Sequence, residues 1–208
     1  MITKKVMEDA IFRTIKKSSC KISPEWLNQI RPDVAVLATG SHPIIPNIKG
    51  LTKTKTFTAR KILEGSEIIE TRIIVVGGGQ VGCEVAELLS QQGKEVTIVE
   101  VLDDIARDMD RINRLSLVMA LEDLGVRIIT KTRAESVTDQ GVWVDCLGEK
   151  ELIPTDGIVI AVGSKPRSED VDKILRDKVA EVYLIGDKVK AGGILNAVRD
   201  GFDVAMKI

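Results

Sequence analysis

Cysteine, histidine and aromatic residues are scarce in this chain, and each shortage disfavours a class of site. The 208 residues include three cysteines, one histidine and 3% aromatic residues. Cys20, Cys83 and Cys146 lie far apart and form no C-x-x-C motif, so we expect neither a disulfide framework nor a cysteine metal site. A histidine metal site or a serine–histidine–aspartate triad would depend on His42 alone. Few aromatic side chains remain to stack on the bases of a single-stranded nucleic acid.

Long apolar runs and an excess of charge of one sign are also absent. Thirty basic and 31 acidic residues give a net charge of −1, which favours neither nucleic acid nor an anionic membrane as a partner. No apolar run approaches the ~18 residues of a membrane-spanning helix. Residues 1–10, MITKKVMEDA, lack the apolar core of a signal peptide. We therefore expect a globular cytoplasmic protein without a metal site.

The most informative segment is residues 71–100, TRIIVVGGGQVGCEVAELLSQQGKEVTIVE. The β-branched run at 73–76 predicts a buried strand, and the glycine turn at 77–82 matches G-x-G-x-x-G. A helical pattern follows, with apolar residues on one face. A second apolar run, 96–99, ends at Glu100. Strand, glycine turn, helix, strand and acid together predict a complete βαβ unit.

The glycine turn predicts a dinucleotide site. Gly77 permits the tight turn, Gly79 lets the backbone approach a pyrophosphate, and Gly82 lets the helix pack close to the strand. The first helical N–H groups, at Gln80 and Val81, would hold the phosphates together with the positive end of the helix dipole. A purely structural glycine turn is the disfavoured alternative, because every other part of the βαβ unit lies where dinucleotide binding needs it.

Glu100 predicts the form of the dinucleotide. A carboxylate at the end of the second strand accepts hydrogen bonds from the adenosine ribose hydroxyls and repels a 2′-phosphate. Asp103 and Asp104 add negative charge nearby, and no Arg or Lys directly follows Glu100. We therefore expect NAD(H) to be preferred to NADP(H).

Two residues at the start of the helix have alternative interpretations. Cys83 could be a thiol activated by the helix dipole, but a small packed residue is the favoured interpretation. Glu84 lies in the first turn, where it could face the cleft. It could also serve only as a charge that is favourable to the dipole.

Strands alternate with helices along the rest of the chain, which predicts an α/β fold with a mainly parallel sheet. A β-meander is predicted from strands at 134–138 and 142–146 followed by a charged turn at 148–151. Further strands are predicted at 33–40, 126–130, 157–162 and 181–186, and further helices at 1–18, 23–30, 58–64, 109–124, 170–178 and 194–208.

Three predicted strands share one ending, in which an apolar run gives way to small residues and glycine. The three endings are Ala38-Thr39-Gly40, Ala161-Val162-Gly163 and Ile185-Gly186-Asp187. Ligands of open α/β sheets bind beyond the carboxyl ends of the strands. These endings are therefore candidate walls of a ligand site.

Several segments in a fixed order resemble the pyridine-nucleotide-binding region of the flavoprotein reductases. They are more closely similar to the C-terminal half of the NADH:flavin oxidoreductases related to old yellow enzyme, namely 2-enoate reductase and 2,4-dienoyl-CoA reductase. The segments are PDVAVLATGSHPIIPNIKG, VVGGGQVGCEVAELLSQQGKEVTIVE, DMDRINR with LEDLGVRIIT, GIVIAVGSKP and VYLIGDKVKAGGILNAVRDGF. Members of this group carry an N-terminal barrel with FMN and an iron–sulfur cluster, then an FAD domain into which an NAD domain is inserted.

The resemblance implies a Rossmann-like, three-layer βαβ NAD domain with a β-meander, inserted in a partial FAD-type domain. The expected division is residues 1–66 and 166–208 for the FAD-type pieces and 67–165 for the NAD(H)-binding domain. The barrel, the iron–sulfur cysteines and the first FAD strand with its own glycine turn are missing from this sequence. We therefore expect a fragment of a larger oxidoreductase that does not bind FAD tightly.

The resemblance also implies roles for individual residues. Glu84 would lie near the nicotinamide, and Gly163 would line the NAD cleft. FAD would be faced in an intact enzyme by Thr39, Gly40, Gly186 and Asp187. The lack of a C-x-x-C or C-x4-C motif argues against a disulfide reductase.

The leading hypothesis for function is a module that presents NADH for hydride transfer to a flavin. The flavin performs that chemistry, so no side chain need act as a catalytic acid or base. The alternatives are a non-enzymatic nucleotide-binding module and a fragment without activity of its own. The expected partners are NADH and a flavin-bearing domain or chain. Apolar surface left by the missing half-domain could also promote homo-oligomers.

Overall fold

A computed structural model describes residues 22–167 and 171–208 of the chain. The helix predicted at 1–18 lies outside the described residues. The α-helices are α1 (Pro24–Ile30), α2 (Ala59–Leu63), α3 (Gln80–Gln91), α4 (Arg111–Asp123), α5 (Val171–Lys178) and α6 (Ile194–Ala205). The strands are β1 (Val34–Leu37), β2 (Ser41–Pro43), β3 (Lys55–Thr58), β4 (Arg72–Val76), β5 (Glu95–Val99), β6 (Arg127–Ile129), β7 (Thr132–Thr138), β8 (Gly141–Cys146), β9 (Glu149–Pro154), β10 (Gly157–Ile160), β11 (Ser164–Pro166) and β12 (Glu181–Leu184).

The helices begin where side chains cap them. The Ser23 hydroxyl accepts a hydrogen bond from the Trp26 N–H at 3.3 Å, and proline occupies the first helical position, as predicted. Asp110 caps α4 by accepting from the N–H groups of Ile112 and Asn113, both at 3.1 Å. In the described ranges, no helix combines the length and apolar character that crossing a membrane requires.

A parallel five-stranded sheet in the order β3-β10-β4-β5-β6 forms the centre of the fold. Its middle strands are buried on both faces, which explains their unbroken apolar sequences. Because side chains alternate along a strand, Ile73 and Val75 of β4 point to one face, and Ile74 and Val76 point to the other.

Each face of the sheet is covered by a different layer. Helices α2, α3 and α4 pack on the Ile73–Val75 face, where Val85 and Leu89 of α3 meet Leu121 of α4. The antiparallel meander β7-β8-β9 packs on the opposite face. The predicted α/β class, with a Rossmann-like sheet between helices and a meander, is confirmed.

The segments on either side of the central sheet in sequence pair with each other. β1 pairs in parallel with β12, and β2 pairs antiparallel with β11. Helices α1 and α5 contribute Leu27 and Leu175 to a separate small core with Leu37 of β1. This pairing brings residues from both ends of the described chain to the edge of the central sheet.

Four strands differ from the sequence prediction. The short strands β2 and β11 were not predicted. The charged turn predicted at 148–151 is wrong, because the turn is Leu147-Gly148 and Glu149–Pro154 forms the third strand of the meander. Only Ile153 of β9 is fully buried, so the strand lacks an apolar signature. Strand β3 was not predicted, and it adds Lys55–Thr58 to the edge of the central sheet beside β10. Its polar sequence reflects that edge position.

Candidate functional site

A cavity of about 780 Å³ lies at the carboxyl ends of β4, β5 and β10, where an α/β sheet places its ligands. Seven of the residues predicted from sequence line it, namely Gly77, Gly79, Gln80, Val81, Glu100, Gly163 and Asp187. The remaining five predicted residues are not part of the lining, namely Thr39, Gly40, Gly82, Glu84 and Gly186. Most of the predicted NAD residues therefore line this cavity, whereas Asp187 alone of the four predicted FAD-type residues does so.

Gly77 and Gly82 are required by the backbone itself. Gly77 has φ +106°, and a Cβ there would lie 2.5 Å from the Ala161 carbonyl oxygen. A Cβ on Gly82 would lie 2.0 Å from the Gly77 carbonyl oxygen. Both glycines therefore let α3 pack against the end of the sheet, as the motif predicts.

Gly79 differs from Gly77 and Gly82 because a Cβ at this position would clash with no neighbouring atom. Its φ of −68° suits any residue, so no backbone strain selects glycine here. The three atoms nearest to a Cβ at this position all belong to the Asp108 carboxyl group, at 3.5 to 4.0 Å. A larger side chain would project into the cavity at the start of α3. The cradle therefore fits a pyrophosphate held against the helix N-terminus.

Gly78 occupies the second position of the G-x-G-x-x-G motif, where the motif allows any residue. A Cβ there would approach the Ile105 side chain at 2.8 Å and the Glu100 Cβ at 3.1 Å. The Ala106 N–H donates to the Gly78 carbonyl oxygen at 2.7 Å. The loop at 101–110 thus packs directly on the glycine turn, which no local sequence signal indicated.

Glu100 is buried and held by the backbone. Its side chain accepts hydrogen bonds from the Gly78 N–H at 2.5 Å and from the Leu102 N–H at 2.8 Å. Only 7% of the residue is exposed, and it lines the cavity. Each carboxylate oxygen retains capacity for another hydrogen bond. A ribose hydroxyl could therefore donate to a carboxylate whose position is already fixed.

The two acids that follow Glu100, Asp103 and Asp104, each form an ion pair with a different arginine. Asp103 pairs with Arg107 at 2.9 Å, and Asp104 pairs with Arg114. Arg107 lines the cavity, which sequence reasoning did not anticipate. Its guanidinium is engaged by Asp103, so the nearby positive charge is partly neutralised.

Neither Cys83 nor Glu84 is among the residues that line the cavity. Cys83 is fully buried, and its thiol donates to the Gly78 carbonyl oxygen at 3.4 Å. Burial raises the pKa of the thiol to about 12, so Cys83 is a packed residue rather than a thiolate. Glu84 accepts a hydrogen bond from the Gln80 side-chain amide at 2.8 Å.

Ser41 and Asp187, which come from the segments on either side of the central sheet in sequence, also line the cavity. The Ser41 hydroxyl donates to the Asp187 carboxylate at 2.8 Å, and the Gly192 N–H donates to the other oxygen at 3.1 Å. The Thr39 hydroxyl oxygen is buried without a hydrogen-bond partner among the residues described. The Ile44 N–H donates to the Gly163 carbonyl oxygen at 3.0 Å, which ties the first of these segments to the wall beside the glycine turn.

The βαβ unit, the glycine turn and the buried acid have the arrangement found in dinucleotide-binding α/β folds. Residues 3–201 match the family model described as pyridine nucleotide-disulphide oxidoreductase, and the chain belongs to that family.

Similar proteins are oxidoreductases by name. The NADH oxidase of Thermoanaerobacter brockii is 37% identical over 197 residues, which cover 92% of this chain and 30% of that protein. The bilirubin reductase of Mediterraneibacter gnavus is 36% identical over 172 residues, covering 82% and 27%. A solved 2-naphthoyl-CoA reductase is 27% identical with a TM-score of 0.85, covering 98% and 31%. The chain thus spans less than a third of the length of these proteins.

Proposed function

We propose that this chain binds NADH in the cavity and presents it for hydride transfer to a flavin. The observation that carries the proposal is that one cavity joins the glycine turn to the Ser41–Asp187 pair. A dinucleotide bound by its pyrophosphate at Gly79 would extend along the Gly163 wall toward that pair. The choice of dinucleotide is supported by the NADH oxidase that is 37% identical to this chain over 92% of its length.

The residues of the turn would each have a definite task. The N–H groups at the start of α3, from Gln80 and Val81, would hold phosphate oxygens, and Gly79 would leave room for them. Glu100 would accept hydrogen bonds from ribose hydroxyls and disfavour a 2′-phosphate. When bound, NADH supplies the hydride. The chain contributes position and electrostatics, and we assign no catalytic acid or base.

The flavin is proposed to come from another domain or chain. Asp187 lines the cavity, and its carboxylate would accept a hydrogen bond from a flavin cofactor such as FAD. However, the sequence contains only one G-x-G-x-x-G turn, so the chain supplies no second pyrophosphate cradle. Tight FAD binding by these residues alone is therefore not part of the proposal.

We place this chain in a larger flavoprotein of the old yellow enzyme-like group. The proposed division keeps residues 67–165 as the NAD(H) domain between FAD-type pieces at 1–66 and 166–208. The pairing of β1 with β12 supports this, because it joins the two flanking pieces to each other. The proposed setting is the cytoplasm, and the final electron acceptor would bind outside this chain.

Homo-oligomers are proposed for the isolated chain. One face of α6 is apolar and open to solvent, with Leu195 81%, Val198 63% and Phe202 65% exposed. Exposed apolar faces of this kind mark surfaces that another protein surface covers. In a larger flavoprotein the flavin-bearing domain would cover α6, and in its absence a second copy would do so.

Hydride transfer can be tested separately from binding. NADH and excess free FMN are mixed without oxygen, with or without the chain, and the loss of NADH absorbance is followed. We expect the wild-type chain to accelerate the loss, and Gly79→Val to accelerate it little. If the wild type binds NADH without acceleration, the non-enzymatic module is the better description. If it neither binds nor accelerates, the chain is an inactive fragment.

A further inference from the structure

The Asp108 carboxylate lies at the N-terminus of α3, inside the proposed pyrophosphate cradle. One of its oxygens accepts a hydrogen bond from the Gln80 N–H at 2.8 Å. Gln80 is the first residue of α3, a helix of 12 residues, so this N–H has no partner within the helix. The other oxygen would lie 3.5 Å from a Cβ at Gly79, and Asp108 lines the cavity.

The loop that carries Asp108 is anchored just before it in sequence, at Ile105 and Ala106. Ile105 and Ala106 are buried against the glycine turn, and the Ala106 N–H donates to the Gly78 carbonyl oxygen. Arg114 of α4 donates to the Ile105 carbonyl oxygen at 2.9 Å. Among the ion pairs formed by described residues, none includes Asp108. Its negative charge therefore faces the helix terminus without an ion-pair partner among the described residues.

A bound pyrophosphate would need the same N–H group and the same space. Two anions at one helix terminus repel each other, and they compete for the same positive end of the dipole. We propose that Asp108 occupies the phosphate position of the ligand-free site, that a dinucleotide must displace it, and that it thereby lowers the affinity of the site for phosphate-bearing ligands. This inference rests on the proposed function, because it assumes that NADH binds at the glycine turn.

The proposed effect of Asp108 applies only to ligands that carry phosphate groups. NADH and ADP both carry a pyrophosphate and would both have to displace the carboxylate. Adenosine carries none and would occupy only the part of the cavity beside Glu100. Removing the charge of Asp108 should therefore strengthen binding of the first two ligands and leave the third unchanged.

The test uses Asp108→Asn, which keeps an oxygen that can accept from Gln80 but removes the charge, and Asp108→Ala, which removes both. Dissociation constants for NADH, ADP and adenosine are measured by calorimetry or by competition. Asp123→Asn is the matched control, because it removes one exposed negative charge at the end of α4 and outside the cavity. Circular dichroism checks that each variant is folded.

We expect both Asp108 variants to bind NADH and ADP about fivefold more tightly, as for removal of a repelling charge at a helix terminus. Adenosine affinity and the Asp123→Asn control should match the wild type. Unchanged or weaker NADH binding by Asp108→Asn would overturn the inference while leaving the proposed function intact, provided that the wild type binds NADH. Equal tightening for adenosine would also overturn it. If neither wild type nor variants bind NADH, both the inference and the proposed function fail.

Discussion

Gly79 and Gly82 belong to the same motif but do different work. A Cβ at Gly82 would collide with the Gly77 carbonyl oxygen, whereas a side chain at Gly79 would only enter the cavity. We predict that Gly79→Val weakens NADH binding at least about tenfold while the unfolding transition changes little. Gly82→Ala should instead lower the free energy of unfolding by about 1–3 kcal/mol through overpacking. Calorimetry and denaturant unfolding on both variants separate the two roles, and unchanged NADH affinity in Gly79→Val would contradict the pyrophosphate assignment.

Glu100 should decide between NADH and NADPH. Its two carboxylate oxygens accept from the Gly78 and Leu102 N–H groups. Glu100→Gln therefore removes the charge offered to the ribose and also loses one of these two hydrogen bonds, because an amide has only one acceptor oxygen. We predict that Glu100→Gln weakens NADH about tenfold, the size of a lost charge-assisted hydrogen bond, and weakens NADPH less. The measurement is a pair of titrations for each protein. Tighter binding of NADPH than NADH by the wild type would refute the role of Glu100.

Cys83 makes the stability of the fold sensitive to alkaline pH. An unperturbed thiol ionises near pH 9.0, whereas burial raises the pKa of Cys83 to about 12. Above pH 9.0 the unfolded chain loses a proton that the folded chain retains, so stability falls as pH rises. We predict a loss of up to about 1.4 kcal/mol per pH unit that is missing in Cys83→Ala. Urea unfolding from about pH 8 to about pH 10.5 measures both slopes, and equal slopes would show that Cys83 is not the cause.

Among the structural elements, the hairpin between β8 and β9 contains an unusual residue. Leu147 has φ +55° and Gly148 has φ +97°, the positive values that a type I′ hairpin turn requires at both positions. A leucine in the left-handed region costs about 1–2 kcal/mol, and this side chain is mostly exposed. The left-handed conformation of Leu147 therefore lowers the stability of this hairpin.

Leu147→Asn should stabilise the protein, because asparagine tolerates the left-handed region and creates the Asn-Gly turn that type I′ hairpins favour. We predict an increase of about 1 kcal/mol in the free energy of unfolding, measured by urea denaturation. Gly148→Ala is the matched control and should destabilise. A lower unfolding midpoint for Leu147→Asn would show that the leucine side chain makes a stabilising contact.

The elements that could be predicted from sequence are those whose burial is uniform. β4, β5 and β10 are mostly apolar and α3 has a clear apolar face, so their type and order followed from local pattern. β3 and β9 are polar edge strands, and only pairing with their neighbours makes them strands. Their existence depends on tertiary contacts that no local pattern encodes.

The site residues also divide into those that the local sequence predicts and those that only the fold brings together. The glycines and Glu100 lie within one βαβ unit, whose spacing gives their positions in advance. Asp108 comes 28 residues after Gln80, and Ser41 is 146 residues from Asp187, so only the fold brings these pairs together. The place of Glu84 near the nicotinamide stays a prediction, and its carboxylate accepts a hydrogen bond from the Gln80 side-chain amide.

At the scale of the whole molecule, the exposed face of α6 predicts how the isolated chain behaves. Leu195, Val198 and Phe202 lie on neighbouring turns and are open to solvent. We predict that the purified chain self-associates and that Val198→Glu with Phe202→Glu shifts it toward monomer, as measured by sedimentation velocity. Lys190→Gln with Arg199→Gln makes an equal change of net charge without removing apolar surface. A wild-type chain that is monomeric at all concentrations would contradict this prediction.

We propose that the residues around the glycine turn form a complete NADH site, although the chain spans less than a third of the length of these similar proteins. The most direct test is calorimetric titration of the purified chain with NADH, NADPH and FAD, together with its visible spectrum. We predict one NADH bound per chain, weaker NADPH, and little or no flavin colour or FAD binding. Absence of NADH binding would contradict the claim, and tight stoichiometric FAD binding would show that the chain is a flavoprotein by itself.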